Sequence, residues 1–287
     1  MTGSKIEGGL NTSGRIKKNQ DKKPLITVIT VVFNGVEQVE ATIQSVLAQT
    51  YDNIEYIIID GGSTDGTLDI LRQYEDRIDY WMSERDAGIY DAMNKGIDLS
   101  SGGWINFMNA GDSLFDQHTI SSVFSDPEKI RGVDVIYGDV LMVYPQYGDM
   151  GKVRKAGRLR DLWKGMQFSH QSMFVSDKHL KQNKFNLENK LAADFEFVYA
   201  AYCQHKPFFY IEKTISSVSA GGTSDINRVQ SCHERLRVVS RSNNAVLPNG
   251  LFVRLYYSMK MIDSQARGLI KHVLPTGWVK KAIQIKQ

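Results

Sequence analysis

The sequence predicts an α/β fold: a mixed, mostly parallel sheet flanked by helices. Three observations carry that expectation. Continuous runs of apolar and β-branched residues recur along the first half, the pattern of strands buried on both faces. Between them lie segments with apolar residues at helical spacing, the alternation expected of crossover units. The strands end in polar turns bearing Gly, Asn or Asp, where open α/β sheets hold their ligands.

The elements follow in order. Residues 1–23 are polar and basic and read as a disordered tail ending at Pro24. Leu25 to Phe33 is the first buried strand, closed by Asn34-Gly35. Val39, Ile43, Val46 and Leu47 mark a helix. Ile54 to Ile59 is the second strand, ending at Asp60. The turn Gly61-Gly62-Ser63-Thr64-Asp65-Gly66-Thr67 leads into a helix through Leu68, Ile70 and Leu71. It is neither Gly-x-Gly-x-x-Gly nor a P-loop, so ordinary dinucleotide or NTPase binding is disfavoured. Ser63, Asp65 and the glycines are explained by a tight turn with an N-cap. Asp60 is not, because a carboxylate at the end of an apolar strand needs a partner.

Ile78 to Met82 is a third strand. Ile89, Met93 and Ile97 define a helix from about Gly88, with Asp91, Asn94 and Lys95 on its other side. Trp104 to Met108 is a buried strand whose turn, Asn109-Ala110-Gly111-Asp112, holds out one carboxylate. A turn-forming Asp is the ordinary explanation there; only its surroundings give it a further meaning. A helix spans roughly His118 to Phe124. Val133 to Val143 is apolar with Asp139 inside it, which faces solvent or belongs to a site. Residues 144–168 form a basic connection (Lys152, Arg154, Lys155, Arg158, Arg160, Lys164) that reads as an exposed loop or a lid contacting phosphates. His170-Gln171 precedes a strand at Ser172 to Val175. Leu187 to Tyr202 reads as a helix with Asp194 close to its N-terminus, either a dipole-favoured carboxylate or an ionised base. Phe208 to Ile211 is a strand, and Ser219 to Ser224 a small-residue loop. From Val229 two basic amphipathic helices follow, the second with Leu251, Leu255, Met259, Ile262, Ala266, Leu269 and Val273 along one side. They either pack on the domain or form a platform for an anionic membrane surface.

Charge divides with position. Residues 1–23 hold six basic and two acidic groups, +4; residues 228–287 hold eleven and two, +9; residues 24–227 hold 18 and 28, −10. An acidic body suits a cation, and basic ends suit an anionic surface or ligand. Cys203 and Cys232 lack Cys-x-x-Cys spacing, so neither a disulfide framework nor a zinc site is expected and a reducing compartment fits. Neither a signal peptide nor a spanning segment is visible.

Taken together, Thr30-Val31-Val32-Phe33-Asn34, Ile58-Ile59-Asp60-Gly61-Gly62-Ser63-Thr64-Asp65-Gly66-Thr67, Ser83-Glu84 with Asp86 and Gly88 to Gly96, Phe107-Met108-Asn109-Ala110-Gly111-Asp112, His170-Gln171, Ala193-Asp194 and Gly221-Gly222-Thr223-Ser224 resemble the family 2 glycosyltransferases of GT-A fold. Within them the chain is most similar to bacterial cell-surface polysaccharide enzymes of the colanic-acid fucosyltransferase type. The resemblance spans about residues 25–225. It implies a GT-A catalytic domain at 24–227, with 228–287 as a basic helical extension.

It also implies roles. Thr30, Val32, Asn34 and Asp60, with Gly61 and Ser63, line the nucleobase and ribose pocket. Glu84, Asp86, Asp91 and Lys95 complete the nucleotide-sugar site with Asn109, Ala110 and Gly111. Asp112 is the metal-binding carboxylate, taking Mg²⁺ or Mn²⁺, and Asp194 is the general base of an inverting transfer. His170, Gln171 and Arg158 are acceptor or lid candidates. The family's Asp-Ala-Asp-Asp is here Asn109-Ala110-Gly111-Asp112, so two carboxylates are missing and a hard ion would lean on the diphosphate and water. The Gln-x-x-Arg-Trp element of processive members is absent, which favours single addition. The implied partners are a UDP- or GDP-linked sugar, a glycan or polyprenyl-diphosphate-linked acceptor and the anionic inner membrane face, with a cytoplasmic, peripheral location and no nucleic acid. A nucleotidyltransferase and a non-catalytic nucleotide-sugar or glycan-binding module are the alternatives.

Overall fold

A computed structural model describes residues 5–18, 23–145, 150–222, 226–242 and 250–273, side chains of 266–273 excepted. Thr223 and Ser224 of the small-residue loop lie outside these residues.

Among the described residues ten strands make one sheet. Its parallel block is β4 (Tyr80–Ser83), β3 (Ile54–Asp60), β2 (Ile26–Val32) and β5 (Trp104–Phe107). These strands are buried along nearly their whole length, as their apolar runs require. Beyond β5 the sheet continues through β9 (Met173–Ser176), β7 (Val135–Tyr144), β10 (Phe208–Ser219) and the short β6 (Ser113–Leu114). Strand β9 is antiparallel to both neighbours, and β10 is parallel to β7. The helices are α1 (Val39–Leu47), α2 (Thr67–Gln73), α3 (Ile89–Leu99), α4 (Thr119–Val123), α5 (Asp177–Gln182), α6 (Ala193–Cys203), α7 (Arg228–Arg241) and α8 (Gly250–Val273).

Alternation along the strands sorts the core into two layers. Ile29, Val31, Ile57 and Ile59 face Met93 and Ile97 of α3, Phe195 and Val198 of α6, Val239 of α7 and Tyr257 of α8. Val28, Val32, Tyr56 and Ile58 face Ile43 of α1, Leu71 of α2 and Ile120 of α4. Gly96 lets α3 lie close to β2, since a Cβ there would sit 2.6 Å from Ile29 Cγ2. The basic extension therefore supplies core residues through Val238, Val239, Val253 and Tyr257.

Four local differences from the sequence reading have physical causes. The first concerns the amino-terminal tail, residues 5–18 of which are placed rather than disordered. Ile6–Gly8 forms strand β1, antiparallel to β4. Gly8 is needed there, because a Cβ would fall 2.7 Å from the Trp81 ring. Lys17 Nζ then donates to Asp79 Oδ2 (2.8 Å) and to Ile54 O (2.5 Å). Second, the basic connection 144–168 is not a lid over a cleft. Met150–Arg154 is strand β8, hairpinned onto β7, and Leu159–Lys164 is a 3₁₀ turn. Lys155 Nζ lies 3.1 Å from Asp139 Oδ2, and Arg158 Nε lies 3.1 Å from Asp161 Oδ2. Asp139 is buried and also accepts from Ala156 N and Tyr210 OH, so it anchors this hairpin. Third, α6 starts at Ala193 rather than near Leu187. Asn189 Nδ2 bonds Glu196 Oε2, and Asn186 Oδ1 accepts Glu188 N at 3.0 Å. Asn side chains that bind nearby groups compete with helix formation. Fourth, β10 runs on to Ser219. Its hydroxyl-rich second half pairs with β7 after an irregularity between Tyr210 and Ser216.

Candidate active site

The carboxyl ends of the parallel strands carry the first half of the site. Register aligns Val32, Asp60 and Ser83 in one row. Asp60 is fully buried and accepts four hydrogen bonds: Gly62 N (3.0 Å), Ser63 N (2.9 Å), Ser63 Oγ (2.5 Å) and Ser83 Oγ (2.6 Å). That answers what its burial required, and it commits the carboxylate to shaping the turn. Thr30 is likewise internal, with Oγ1 3.0 Å from Tyr56 OH, and Val32 is buried in the second core layer. Of the residues expected at the base pocket, Asn34 stands at the edge. It adopts the left-handed region (φ 49°), donates N–H to Ser63 Oγ and accepts Thr64 N through Oδ1. Gly61 faces Asp86, whose Oδ2 would lie 2.5 Å from a Cβ there. Beside them Phe33 is 65% exposed. An exposed ring at a strand end was passed over in the sequence because it closes an apolar run.

Glu84, Asp91 and Lys95 form a group of their own. Lys95 Nζ lies 2.7 Å from Glu84 Oε1 and 3.6 Å from Asp91 Oδ2, and it donates to Arg85 O. Asp91 Oδ2 accepts Ala87 N, and Asp86 Oδ1 accepts Gly88 N. The Lys95 ammonium is thus already neutralised by carboxylates of its own group.

The second half is built around two carboxylates from distant segments. The Asn109–Asp112 turn is held on β2 by Ala110 N to Val31 O, and on α1 by Gly111 N to Thr42 Oγ1 and Thr42 Oγ1 to Asp112 O. Gly111 has φ 93°, the left-handed region a glycine adopts without strain. Asp112 Oδ2 accepts Gln171 Nε2 at 2.6 Å, and Oδ1 lies 3.4 Å from Ser219 N. Asp194, in the first turn of α6, accepts Tyr90 OH on Oδ1 at 2.9 Å, while Oδ2 lies 3.3 Å from His170 Nδ1. The other ring nitrogen, Nε2, is 3.1 Å from Asn109 Nδ2. An Asn109 amide donating to Nε2 assigns the Nδ1 proton of His170 to Asp194. Consecutive residues His170 and Gln171 therefore bridge the two carboxylates. They stand just before β9, so the antiparallel strand inserted beside β5 is what carries them to the Asp112 turn. Arg158 is tied to its own turn and is not among the contacts of this cleft.

The carboxylates differ in ionisation. Burial pushes Asp112 up to about 6, against the smaller opposing effects of the Gln171 hydrogen bond, the His170 charge and Ser219 N. Burial also acts on Asp194, but the hydrogen bond and charge of His170, the Arg235 charge and the Tyr90 hydroxyl outweigh it and hold the acid down at about 2. Asp194 is 17% exposed, so it is ionised and reachable. Tyr90 and Arg235 carried no functional signal in the sequence: one reads as a core aromatic, the other as a surface charge.

No cluster of three or more His, Cys, Asp or Glu among the described residues is arranged to hold a metal ion. In the same turn as Asp112, Asn109 Oδ1 is buried without a hydrogen-bond partner. One carboxylate and one amide oxygen fit a hard cation that takes its remaining oxygens from a substrate. A separate cleft of about 210 Å³, lined by His179, Asn183, Glu196 and Gln204, lies along another face of α6 and contains none of these groups.

Polar turns at the strand ends, a partly satisfied carboxylate and an ionised one suit a group-transfer enzyme. The chain belongs to glycosyl transferase family 2, whose pattern matches residues 27–184, and it is a glycosyltransferase. It is 31% identical over 178 residues to a PGL/p-HBAD biosynthesis glycosyltransferase of Mycobacterium bovis, covering 61% of this chain and 68% of that one. It is 41% identical over 93 residues to the putative teichuronic acid biosynthesis glycosyltransferase TuaG of Bacillus subtilis, covering 31% and 37%. In fold it resembles the mannosyltransferase PcManGT from Pyrobaculum calidifontis, solved with GDP-Man and Mn²⁺ (TM-score 0.63, 14% identity, 94% of this chain and 82% of that one). S. aureus TarS with UDP-GlcNAc is also similar (TM-score 0.58, 14% identity, 83% and 72%). The fold is thus GT-A, as the sequence reading expected, and family membership sets aside the nucleotidyltransferase and non-catalytic alternatives.

Proposed function

We propose that the enzyme moves a single sugar, with inversion, from a UDP- or GDP-linked donor to a hydroxyl of a glycan or polyprenyl-diphosphate-linked acceptor in bacterial surface polysaccharide synthesis. The observation that carries this reading is the pair His170-Gln171, each side chain holding one of two carboxylates of opposite character in the same cleft.

The donor nucleotide would lie over the turn at Asn34, Gly61, Ser63 and Asp86, with Phe33 as a flat apolar surface for the base. Asp60, Thr30 and Val32 support that turn from behind. Glu84, Asp91 and Lys95 would flank the sugar as a rigid polar wall. The diphosphate would extend toward Asn109, Ala110, Gly111 and Asp112. A Mg²⁺ or Mn²⁺ ion held by Asp112 and Asn109 Oδ1 would neutralise charge growing on the leaving diphosphate.

Asp194 would receive the acceptor proton. The acceptor oxygen attacks the anomeric carbon from the face opposite the diphosphate, and the proton on that oxygen passes to Asp194. The bond from the anomeric carbon to diphosphate oxygen breaks, and its electron pair leaves with the nucleoside diphosphate. A carboxylate that titrates near 2 is a weak base, so the proton moves late, once the attacking oxygen has become acidic through bond formation. Tyr90 and His170 fix the carboxylate's orientation.

Product analysis tests the reaction. A nucleoside diphosphate should be released in equal amount to sugar transferred, with the opposite anomeric configuration by NMR. Pyrophosphate release, or retained configuration, would contradict the reading.

For location we propose a peripheral position at the inner face of the cell membrane. No helix among the described residues is long and apolar enough to cross a membrane. Leu251, Leu255, Met259 and Ile262 on α8 are each more than half exposed while Val253 and Tyr257 face the core. That exposed stripe, with Arg254 and Lys260 nearby, suits an anionic bilayer surface.

A further inference from the structure

Helix α7 is docked beside the base by Glu234, whose Oε2 accepts Leu191 N at 2.8 Å just ahead of α6. The next residue, Arg235, reaches toward Asp194. Its Cζ stands 5.9 Å from the ring centre of Phe195, the residue after Asp194. Its Nε is buried with no hydrogen-bond partner, and no carboxylate among the described residues lies within ion-pair distance of it. A buried guanidinium nitrogen left unpaired is uncommon and calls for a partner. Arg235 Nη1 would lie 3.4 Å from a Cβ on Gly165, and Lys260 Nζ 4.0 Å from the same point. Gly165 (φ 120°) is itself buried, and it places no side chain between the two cations. Lys260, on α8, is oriented by donating to Lys164 O at 2.9 Å and lies over the Tyr256 ring. The next residue back, Met259, belongs to the exposed apolar stripe. Two cations thus flank one buried glycine between Asp194 and that stripe.

We propose that Arg235 and Lys260, which flank Gly165, form a phosphate subsite for the acceptor, recognising a phosphate or diphosphate borne on an apolar chain. The proposal rests on the reading of Asp194 as the base. The guanidinium supplies paired N–H donors to phosphate oxygens, and the ammonium adds a point charge. The phosphate is seated here, the chain lies along α8, and the hydroxyl to be glycosylated is directed at Asp194.

Calorimetric titration of the full chain with geranyl diphosphate tests this. The donor pocket is first filled with whichever of UDP and GDP raises the melting temperature more, so that the probe reports the second site. Wild type should bind geranyl diphosphate, and inorganic pyrophosphate more weakly. Geraniol should bind at least tenfold more weakly than its diphosphate. Arg235→Gln should weaken the diphosphate by about tenfold or more, Lys260→Gln by less, and Arg235→Lys should recover part of the loss. Asp194→Asn should bind the probe as well as wild type or better, because it removes a nearby negative charge. Affinity within twofold of wild type in Arg235→Gln, or equal binding of geraniol and geranyl diphosphate, overturns the subsite. Transfer retained by Asp194→Asn would instead overturn the base, and the titration, which involves no turnover, would still read the subsite.

Discussion

Asp112 and Asp194 share a cleft and a pair of bridging neighbours, yet their acidities are driven apart. Burial raises the pKa of both; the difference lies in what each accepts. Asp112 receives one neutral amide and a long backbone contact, too little to offset desolvation. Asp194 receives an imidazole N–H and a phenol, and it feels Arg235. Environments that separate two titrating groups mark a division of chemical labour. The pKa of Asp112 in the folded chain, about 6, lies above its ordinary value of 3.8. Its stabilising contribution is therefore complete below pH about 4 and is lost as the pH rises through 6. Without metal or donor, Asp112→Asn should melt higher than wild type at pH 8 and no higher at pH 4.5; equal melting at pH 8 would remove the argument. With Mn²⁺ present the same variant should bind donor at least tenfold more weakly in a titration. For Asp194, removing its main counterweight lets burial win. In His170→Ala, kcat at saturating donor and metal should acquire an acid limb above pH 5 that wild type lacks. A pH profile unchanged from wild type would show that His170 does not hold the base. In the sequence, Asp112 and Asp194 were legible by their place in motifs. Their coupling was not, because His170 and Gln171 are 58 or more positions from Asp112 and 23 or more from Asp194.

At the scale of elements, what pairing demands explains what periodicity hides. The parallel strands were legible because burial on both faces makes them continuously apolar. Strand β1 was not: three residues with one buried position carry no period. It stays in place through Gly8 against Trp81 and Lys17 against Asp79. Asp79 is buried, and burial raises its pKa despite Lys17 and Tyr56 N. Lys17→Ala would leave that carboxylate with a single N–H donor. The variant should lose about 2 kcal/mol in urea denaturation, toward the low end for a broken buried pair because Lys17 is itself 38% exposed. An unchanged midpoint would show that β1 and its strap are held by other contacts. Strand β10 was read too short because Glu212, Lys213 and the run Ser216-Ser217 look like loop. Its register on β7 nonetheless continues to Ser219, and that extension is what delivers the Ser219 N–H to Asp112. Of the two readings of the basic connection, an exposed loop or a phosphate lid, the exposed one fits better: residues 151–154 are exposed, and Asp139 and Asp161 pair with Lys155, Arg158 and Lys164.

Over the whole molecule, charge and apolarity point the same way. The acidic body holds the carboxylates at the strand ends. The basic extension covers the α3–α6 side, giving Val239, Val253 and Tyr257 to the core and leaving its second apolar stripe outside. Packing alone does not explain that stripe, because Leu255 and Met259 remain 53% and 61% exposed. Leu255→Glu with Met259→Glu should leave the melting temperature within about 2 °C, since exposed positions seldom matter to the fold. It should also abolish co-sedimentation with vesicles of anionic phospholipid. Vesicle binding that persists in the double variant would move the membrane contact elsewhere.

The central claim is that Asp194 takes the acceptor's proton while Asp112 and its turn hold the donor. The most direct measurement pairs donor binding with single-turnover transfer in Asp194→Asn. Asn keeps the size and can still accept from Tyr90, but it has little affinity for a proton. The expected result is donor affinity within threefold of wild type and transfer slowed by about 10³-fold or more. Transfer within tenfold of wild type would contradict the account.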